Sequence, residues 1–211
     1  MNRFRGKQLW RATLYLASYV PVGIGLFGCS LAVLIVCYVM NITWLGLPML
    51  VGAAVVLRGC AHVERGRARL VGDPIMPDYQ QVSGQGVFAQ VRTRWRDVAT
   101  WRDCAYLVLL FPALLLLDGG TLVVWLTVLA GVALPLWYWS VPGTLLGFLT
   151  PNLGTALVLA IAFAALAVFV SRLVLMVASL HAAVARALLG PRVDPLAEAK
   201  RMLAEPGPLT V

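Results

Sequence analysis

All 17 lysines and arginines of this 211-residue chain lie outside two long stretches, residues 12–57 and 119–171, that carry no charged side chain. The basic residues gather instead at 3–11, 58–102 and 172–201. A hydrocarbon core about 30 Å thick is crossed by about 20 apolar residues in helical form. Each stretch therefore fits two crossings and a turn, with a longer external loop in the second. Lysine and arginine stay on the cytoplasmic side of such loops. The expectation is an all-α integral membrane protein with four transmembrane helices in two hairpins. It would lie in the inner (plasma) membrane with both termini cytoplasmic.

Composition adds less than this distribution does. The net charge of +8 and the 61% hydrophobic content are compatible with a basic soluble protein, but segregated charge is not. The arginine clusters read as topology signals and as contacts to anionic headgroups rather than as a nucleic-acid surface. The basic start at Arg3, Arg5 and Lys7 is followed by an apolar run longer than a secretory signal carries, so it is read as an uncleaved first helix. Cys29, Cys37, Cys60 and Cys104 lack paired spacing and are assigned to helix packing. Asn41-Ile42-Thr43 matches a glycosylation sequon but falls in a turn too short to use it.

The two stretches resemble one another. A shift of 91 residues aligns Trp10 with Trp101, Arg11 with Arg102, Tyr15 with Tyr106, Leu16 with Leu107 and Pro21 with Pro112. The reading is a duplicated helical hairpin, with repeat 1 at about 9–72 and repeat 2 at about 100–191. Each copy starts with Trp-Arg at the interface and then meets a proline, best tolerated in a first helical turn. Residues 10–20 and 101–111 are thus expected to be interfacial lead-in segments. The main crossings follow at 21–40 and 112–131, and the return crossings at 44–61 and 154–171.

Ala156, Ala160 and Ala164 give the last helix a small-residue face. Both return helices are expected to extend into the cytoplasm, to Leu70-Val71-Gly72 and Leu188-Leu189-Gly190, where glycine can close a helix in the left-handed conformation. The connection at 73–90 is rich in Pro, Gly and Gln and reads as flexible. From its end onward, Phe88, Val91, Trp95, Val98 and Trp101 fall at helical spacing beside Arg92, Arg94 and Arg96. That describes an amphipathic helix lying on the inner leaflet or against the bundle end. In the second external loop, Trp137, Tyr138 and Trp139 read as an aromatic belt or as an apolar lid for an amphiphilic ligand.

Chemistry-bearing residues are sparse. Asp118 is the only acid between Asp103 and Asp194 and sits early in the third crossing. A carboxylate there is costly and turns toward the bundle interior. Arg58 and Arg172, at the ends of the second and fourth crossings, are the expected partners in a switchable ion pair. The alternative is a helix cap at Asp118-Gly119-Gly120-Thr121. Cys60, His62 and Glu64 are metal-capable but lack a second ligand pair, so no metal is expected. His181 has no acid near it in sequence and reads as a surface histidine. No phosphate loop, nucleophile elbow or carboxylate pair is present, so neither an enzyme nor a cofactor is expected.

Several landmarks occur in a recognisable order. They are Glu64-Arg65-Gly66-Arg67-Ala68-Arg69-Leu70-Val71-Gly72, Ala99-Thr100-Trp101-Arg102-Asp103, Tyr106-Leu107, Phe111-Pro112, Leu134-Pro135-Leu136-Trp137-Tyr138-Trp139 with Pro142, and Ala185-Arg186-Ala187-Leu188-Leu189-Gly190-Pro191. Together they resemble the Putative sensor domain found at the N-terminus of actinobacterial sensor histidine kinases. The resemblance covers about 9–191 and implies a non-enzymatic four-helix membrane module that passes a signal to a cytoplasmic output. It names no ligand. The sensor-like domain would span 1–191, followed by a short cytoplasmic tail at 192–211 too small to hold a kinase. The expected partners are membrane lipids, a histidine kinase on another chain and a second copy of this chain. The alternative is an accessory subunit of a transporter or other membrane complex.

Overall fold

The computed structural model describes residues 2–40, 46–81, 86–140 and 152–191. The sequon at 41–43, Pro142 with most of the second external loop, and the tail from 192 lie outside the described residues. The elements are α1 (Asn2–Met40), α2 (Gly46–Ala68), α3 (Val87–Arg96), α4 (Val98–Cys104), a π-helical turn (Ala105–Leu109), α5 (Phe111–Val132) and α6 (Leu153–Leu189). Short 3-10 turns follow α5 at Leu134–Leu136 and Tyr138–Ser140. The described residues contain no strand. Four helices are long and apolar enough to cross a membrane, within α1, α2, α5 and α6. Their outer faces expose Ile24, Ile35, Val55, Leu116, Ile161 and Phe169, as helices facing lipid must. The chain is a multi-pass membrane protein.

The two halves treat their prolines differently. The expected lead-in at 10–20 does not exist as a separate segment, because α1 runs unbroken through Pro21. Proline removes one helical hydrogen bond, and in apolar surroundings the remaining backbone bonds are too valuable to surrender. In the second half a lead-in is present. There α4 passes into the π-helical turn, Leu110 N–H donates to Ala105 O five residues back (3.0 Å), and α5 starts with Pro112 in its first turn. At the far end α6 is closed by a capping box, with Asn152 accepting from Thr155 N–H and Thr155 reaching back.

The sequence reading puts both hairpin turns on one side, but the helices meet otherwise. Residues Gly6 and Leu9 of α1 share a groove with Val168, Arg172 and Leu175 of α6, and further along both helices Tyr19 meets His181. Thus α1 and α6 run in the same direction. Helix α5 opposes both, since Phe27 stacks on Phe111 at one end, while Gly131 meets Phe163 at the other. Two apolar clusters result. One joins Tyr19, Leu57, Cys60, Leu107, Phe111 and Leu114; the other joins Ala12, Leu16, Trp125, Val128, Val170 and Val174. Met40 of α1 and Gly46 of α2 lie beyond the first cluster, and Val132 of α5 and Leu153 of α6 lie beyond the second.

Local expectations fare unevenly. Ala156 and Ala160 are buried inside the protein, whereas Ala164 is exposed, so the alanine stripe is not one continuous face. Gly190 is extended (φ −85°, ψ 172°), as a residue before proline must be, and the only described glycine at positive φ is Gly86. The glycines at 72 and 190 therefore do not close their helices in the left-handed form. The connection after α2 is anchored rather than loose: Ile75 is buried against Gly190, and Tyr79 inserts between Arg58 and Arg65. The amphipathic segment divides at Asp97, which caps α4 by accepting from Ala99 N–H (3.0 Å).

Helix α5 approaches α6 so closely at Gly131 that an added Cβ would collide with the Phe163 ring. Overpacking of this kind costs about 1–3 kcal/mol, against about 1 kcal/mol gained from replacing glycine by alanine within a helix. Gly131→Ala should therefore lower the unfolding temperature in mild detergent, and adding Phe163→Ala should recover part of the loss. An unchanged or higher melting temperature for the single variant would contradict this close approach.

Candidate functional site

Between the two apolar clusters lies a layer of buried polar side chains. His181, on α6, is completely buried, and both of its ring nitrogens are engaged. Its Nδ1 lies 2.6 Å from Asp118 Oδ2 on α5, and its Nε2 lies 2.8 Å from the Tyr106 hydroxyl on the π-helical turn. Tyr106 also donates to Glu64 Oε2 on α2 at 3.3 Å. Glu64 is held by Arg67 one turn further on, whose Nη1 donates to both carboxylate oxygens at 2.8 and 2.6 Å. The same guanidinium donates to Tyr15 O (2.7 Å) and Ser18 Oγ (3.1 Å) on α1 and lies over the Tyr15 and Tyr19 rings. Those two rings pack edgewise on His181, with centroids 5.0 and 4.6 Å away. One connected set of groups thus touches every long helix.

Hydrogen placement gives the set two arrangements. A tyrosine hydroxyl has one hydrogen to donate. Burial, and then the charge of Glu64, raise Tyr106 far above the ordinary tyrosine range, so it keeps that hydrogen. If the hydrogen points to His181 Nε2, the imidazole is the tautomer that donates from Nδ1 to Asp118. If it points to Glu64, Nε2–H of His181 can donate to the Tyr106 oxygen instead, an arrangement that needs one more proton on Nδ1 or on Asp118 to keep the 2.6 Å contact between them. Asp118 Oδ1 has no hydrogen-bond partner among the described residues.

A second polar cluster flanks the first. Arg65 donates to Asp103 Oδ1 (3.0 Å), Tyr79 Oη (2.7 Å) and Leu189 O (3.0 Å), which ties α2 to α4 and to the end of α6. Tyr79 donates to Asp103 Oδ2 at 2.5 Å. Burial, followed by its bond to Asp103, keeps the Tyr79 hydroxyl above its usual range. Burial also raises the Asp103 carboxyl, opposed by Tyr79 and Arg65. Arg58 donates to Asp97 Oδ2 (2.9 Å) and Thr100 Oγ1 (3.0 Å).

The residues singled out in the sequence are dispersed. Asp118 is fully buried but bonds His181, not Arg58 or Arg172. Arg58 is taken by Asp97, and Arg172 is exposed on the groove between α1 and α6. The cap at Asp118 is absent too, because α5 continues through Gly119 and Gly120. His181 is a core residue rather than a surface one, since it faces inward between Ala178, Ala182 and Ala185, all buried. Those small neighbours on an apolar helix were the available signal, as was Glu64-x-x-Arg67 at one-turn spacing. Tyr15 and Tyr106 stood out only as aligned positions. Cys60 sits in an apolar cluster while His62 is exposed, so the metal-capable trio does not converge. Trp137 donates to Ala130 O (3.2 Å), and Tyr138 packs edgewise on the exposed Trp139 (5.6 Å).

Removing one partner of a buried ion pair costs about 3–5 kcal/mol, because the other charge is stranded. Arg67→Met should therefore unfold far more readily in detergent than wild type, and Glu64→Gln/Arg67→Met should recover most of the loss. Tyr106→Phe should cost only about 1 kcal/mol. Additive losses in the double variant would show that Glu64 and Arg67 do not depend on one another.

The model of the family described as "Putative sensor" matches residues 15–189. No curated protein and no solved structure matches the chain. The matched span holds the entire buried network, from Tyr15 to His181, and the Arg65 contact to Leu189. The chain belongs to the Putative sensor family.

Proposed function

We propose that this chain is a non-enzymatic sensor module of the plasma membrane that passes a membrane or extracytoplasmic signal to a cytoplasmic partner such as a histidine kinase. The observation that carries the reading is the connected path Asp118–His181–Tyr106–Glu64–Arg67. Signal transfer needs an element with two arrangements whose balance can be biased from a distance. The Tyr106 hydrogen supplies such a choice, between α6 and α2. Output would leave by the ends of α2 and α6, which Arg65 joins at Leu189. The space beside Glu64 and Tyr106 has no room for a substrate, which favours a coupling role over a catalytic one.

The exclusion of lysine and arginine from the apolar stretches supports an orientation with the polar layer and both termini facing the cytoplasm. The parallel course of α1 and α6 instead sends the two hairpins away from opposite sides of the layer, so the two arrangements differ in where they put Leu47 and Trp139. Single cysteines at Leu47 and Trp139, in a background free of other cysteines, should react with an impermeant maleimide only from outside. Labelling of the two from opposite faces would overturn the orientation.

Purification from native membranes should bring down a histidine kinase, and Asp118→Asn should change that partner's output without altering membrane insertion. A stoichiometric ATPase or permease would overturn the sensor reading. A wild-type output from Asp118→Asn would remove the buried network as its switch.

A further inference from the structure

A cavity of about 420 Å³ opens between the extended segment and α3, on residues separate from the buried network. Gln80, Gln81, Phe88, Arg92, Thr93 and Arg96 line it. Phe88, Arg92 and Arg96 are spaced four apart and so share one face of α3. Phe88 is 68% exposed, and both arginines are exposed. Neither guanidinium has an ion-pair or hydrogen-bond partner among the described residues. Asp97, next to Arg96 in the chain, is already paired with Arg58 and accepts from Gln80 N–H (3.1 Å), the bond that sets the opposite wall, while Asp78 lies with Gln80 and Asp97 on an adjoining cavity.

The position of this cavity matters as much as its charge. Arg58 is the first charged residue after the apolar stretch at 12–57, and its bond to Asp97 fixes the α3–α4 junction at that boundary. Trp95 Nε1–H donates to Leu50 O (2.9 Å), within the apolar stretch, and Trp101 Nε1–H donates back to Trp95 O (2.9 Å). Helix α3 is therefore held along α2 from the charged boundary at Arg58 to Leu50, eight residues or about 12 Å inside the apolar stretch, with Trp95 on the apolar side of that boundary. Two planar guanidinia four residues apart can hold a phosphate by paired charge-assisted hydrogen bonds. Thr93 and the two glutamines add neutral donors, and Phe88 gives the cavity an apolar end.

We propose that this cavity binds the phosphate of an anionic phospholipid headgroup, with Arg92 and Arg96 on the phosphate and Phe88 against the start of the acyl chains. A soluble phosphate shares the headgroup's chemistry but gains nothing from Phe88 or from the depth of α3.

The test uses the full chain, purified in neutral detergent and titrated with phosphatidylglycerol, with phosphatidylcholine or with inorganic phosphate. Bound lipid is counted by native mass spectrometry. Wild type should retain phosphatidylglycerol over phosphatidylcholine, and Arg92→Gln/Arg96→Gln should weaken that binding about tenfold or more. Arg69→Gln/Arg172→Gln removes the same charge from elsewhere and should bind as wild type does. Equal losses in the two double variants, or none in either, would overturn the site. Arginine-dependent binding of inorganic phosphate without retention of phosphatidylglycerol would overturn the lipid as its source.

Discussion

Charge can be buried in an apolar helical protein only where each charged group meets a partner, and here that requirement is met through His181. The imidazole is reached by Asp118 from α5, Tyr106 from the π-helical turn, and the rings of Tyr15 and Tyr19 from α1. Glu64 and Arg67 complete the set from α2. Each contact sets a relative height and rotation for two helices. Apolar contacts alone would leave these helices free to slide, since lipid tails compete with side chains on nearly equal terms. The desolvation of several charges buys specificity of arrangement, because a shift of a few ångströms would strand a carboxylate.

This layer also explains why the basic clusters surround two charge-free hairpins. Each hairpin leaves the layer and returns to it, and the return is marked by the same kind of contact in both halves. Arg11 donates to Arg69 O near the end of α2, and Arg102 donates to Ala187 O near the end of α6. Both arginines follow a tryptophan, and both acceptors lie three residues before a glycine. The aligned pair Tyr15-Leu16 and Tyr106-Leu107 falls on opposite sides of the layer, one pair in each apolar cluster. Helices α1 and α5 run in opposite directions, so the two hairpins leave the layer on opposite sides.

Much of this was legible from where charge is missing. The two stretches at 12–57 and 119–171 specify four apolar helices, and a lone carboxylate beside the second drew attention to Asp118. What charge patterning cannot carry is which helix faces which. Arg58 and Arg172 were natural partners for Asp118 in a bundle whose hairpins point the same way. Once α6 lies along α1 in the same direction, His181 occupies that place. A histidine 63 positions away has no sequence periodicity linking it to Asp118, so only tertiary geometry could join them. The break at Asp97 was equally hidden, because an apolar stripe at helical spacing continues across a capped junction without interruption.

The π-helical turn at Ala105–Leu109 inserts one extra residue into the winding between α4 and α5. Rewinding it as ordinary α-helix would rotate one flank against the other by about 100° and shift it by about 1.5 Å. Tyr106 stands inside that turn, while Asp103 is held by Arg65 on one side and Asp118 by His181 on the other. The extra residue thus works as a phase shim. It brings two separately anchored carboxylates into step with a single hydroxyl, and that alignment would be lost by a change of one residue in backbone register.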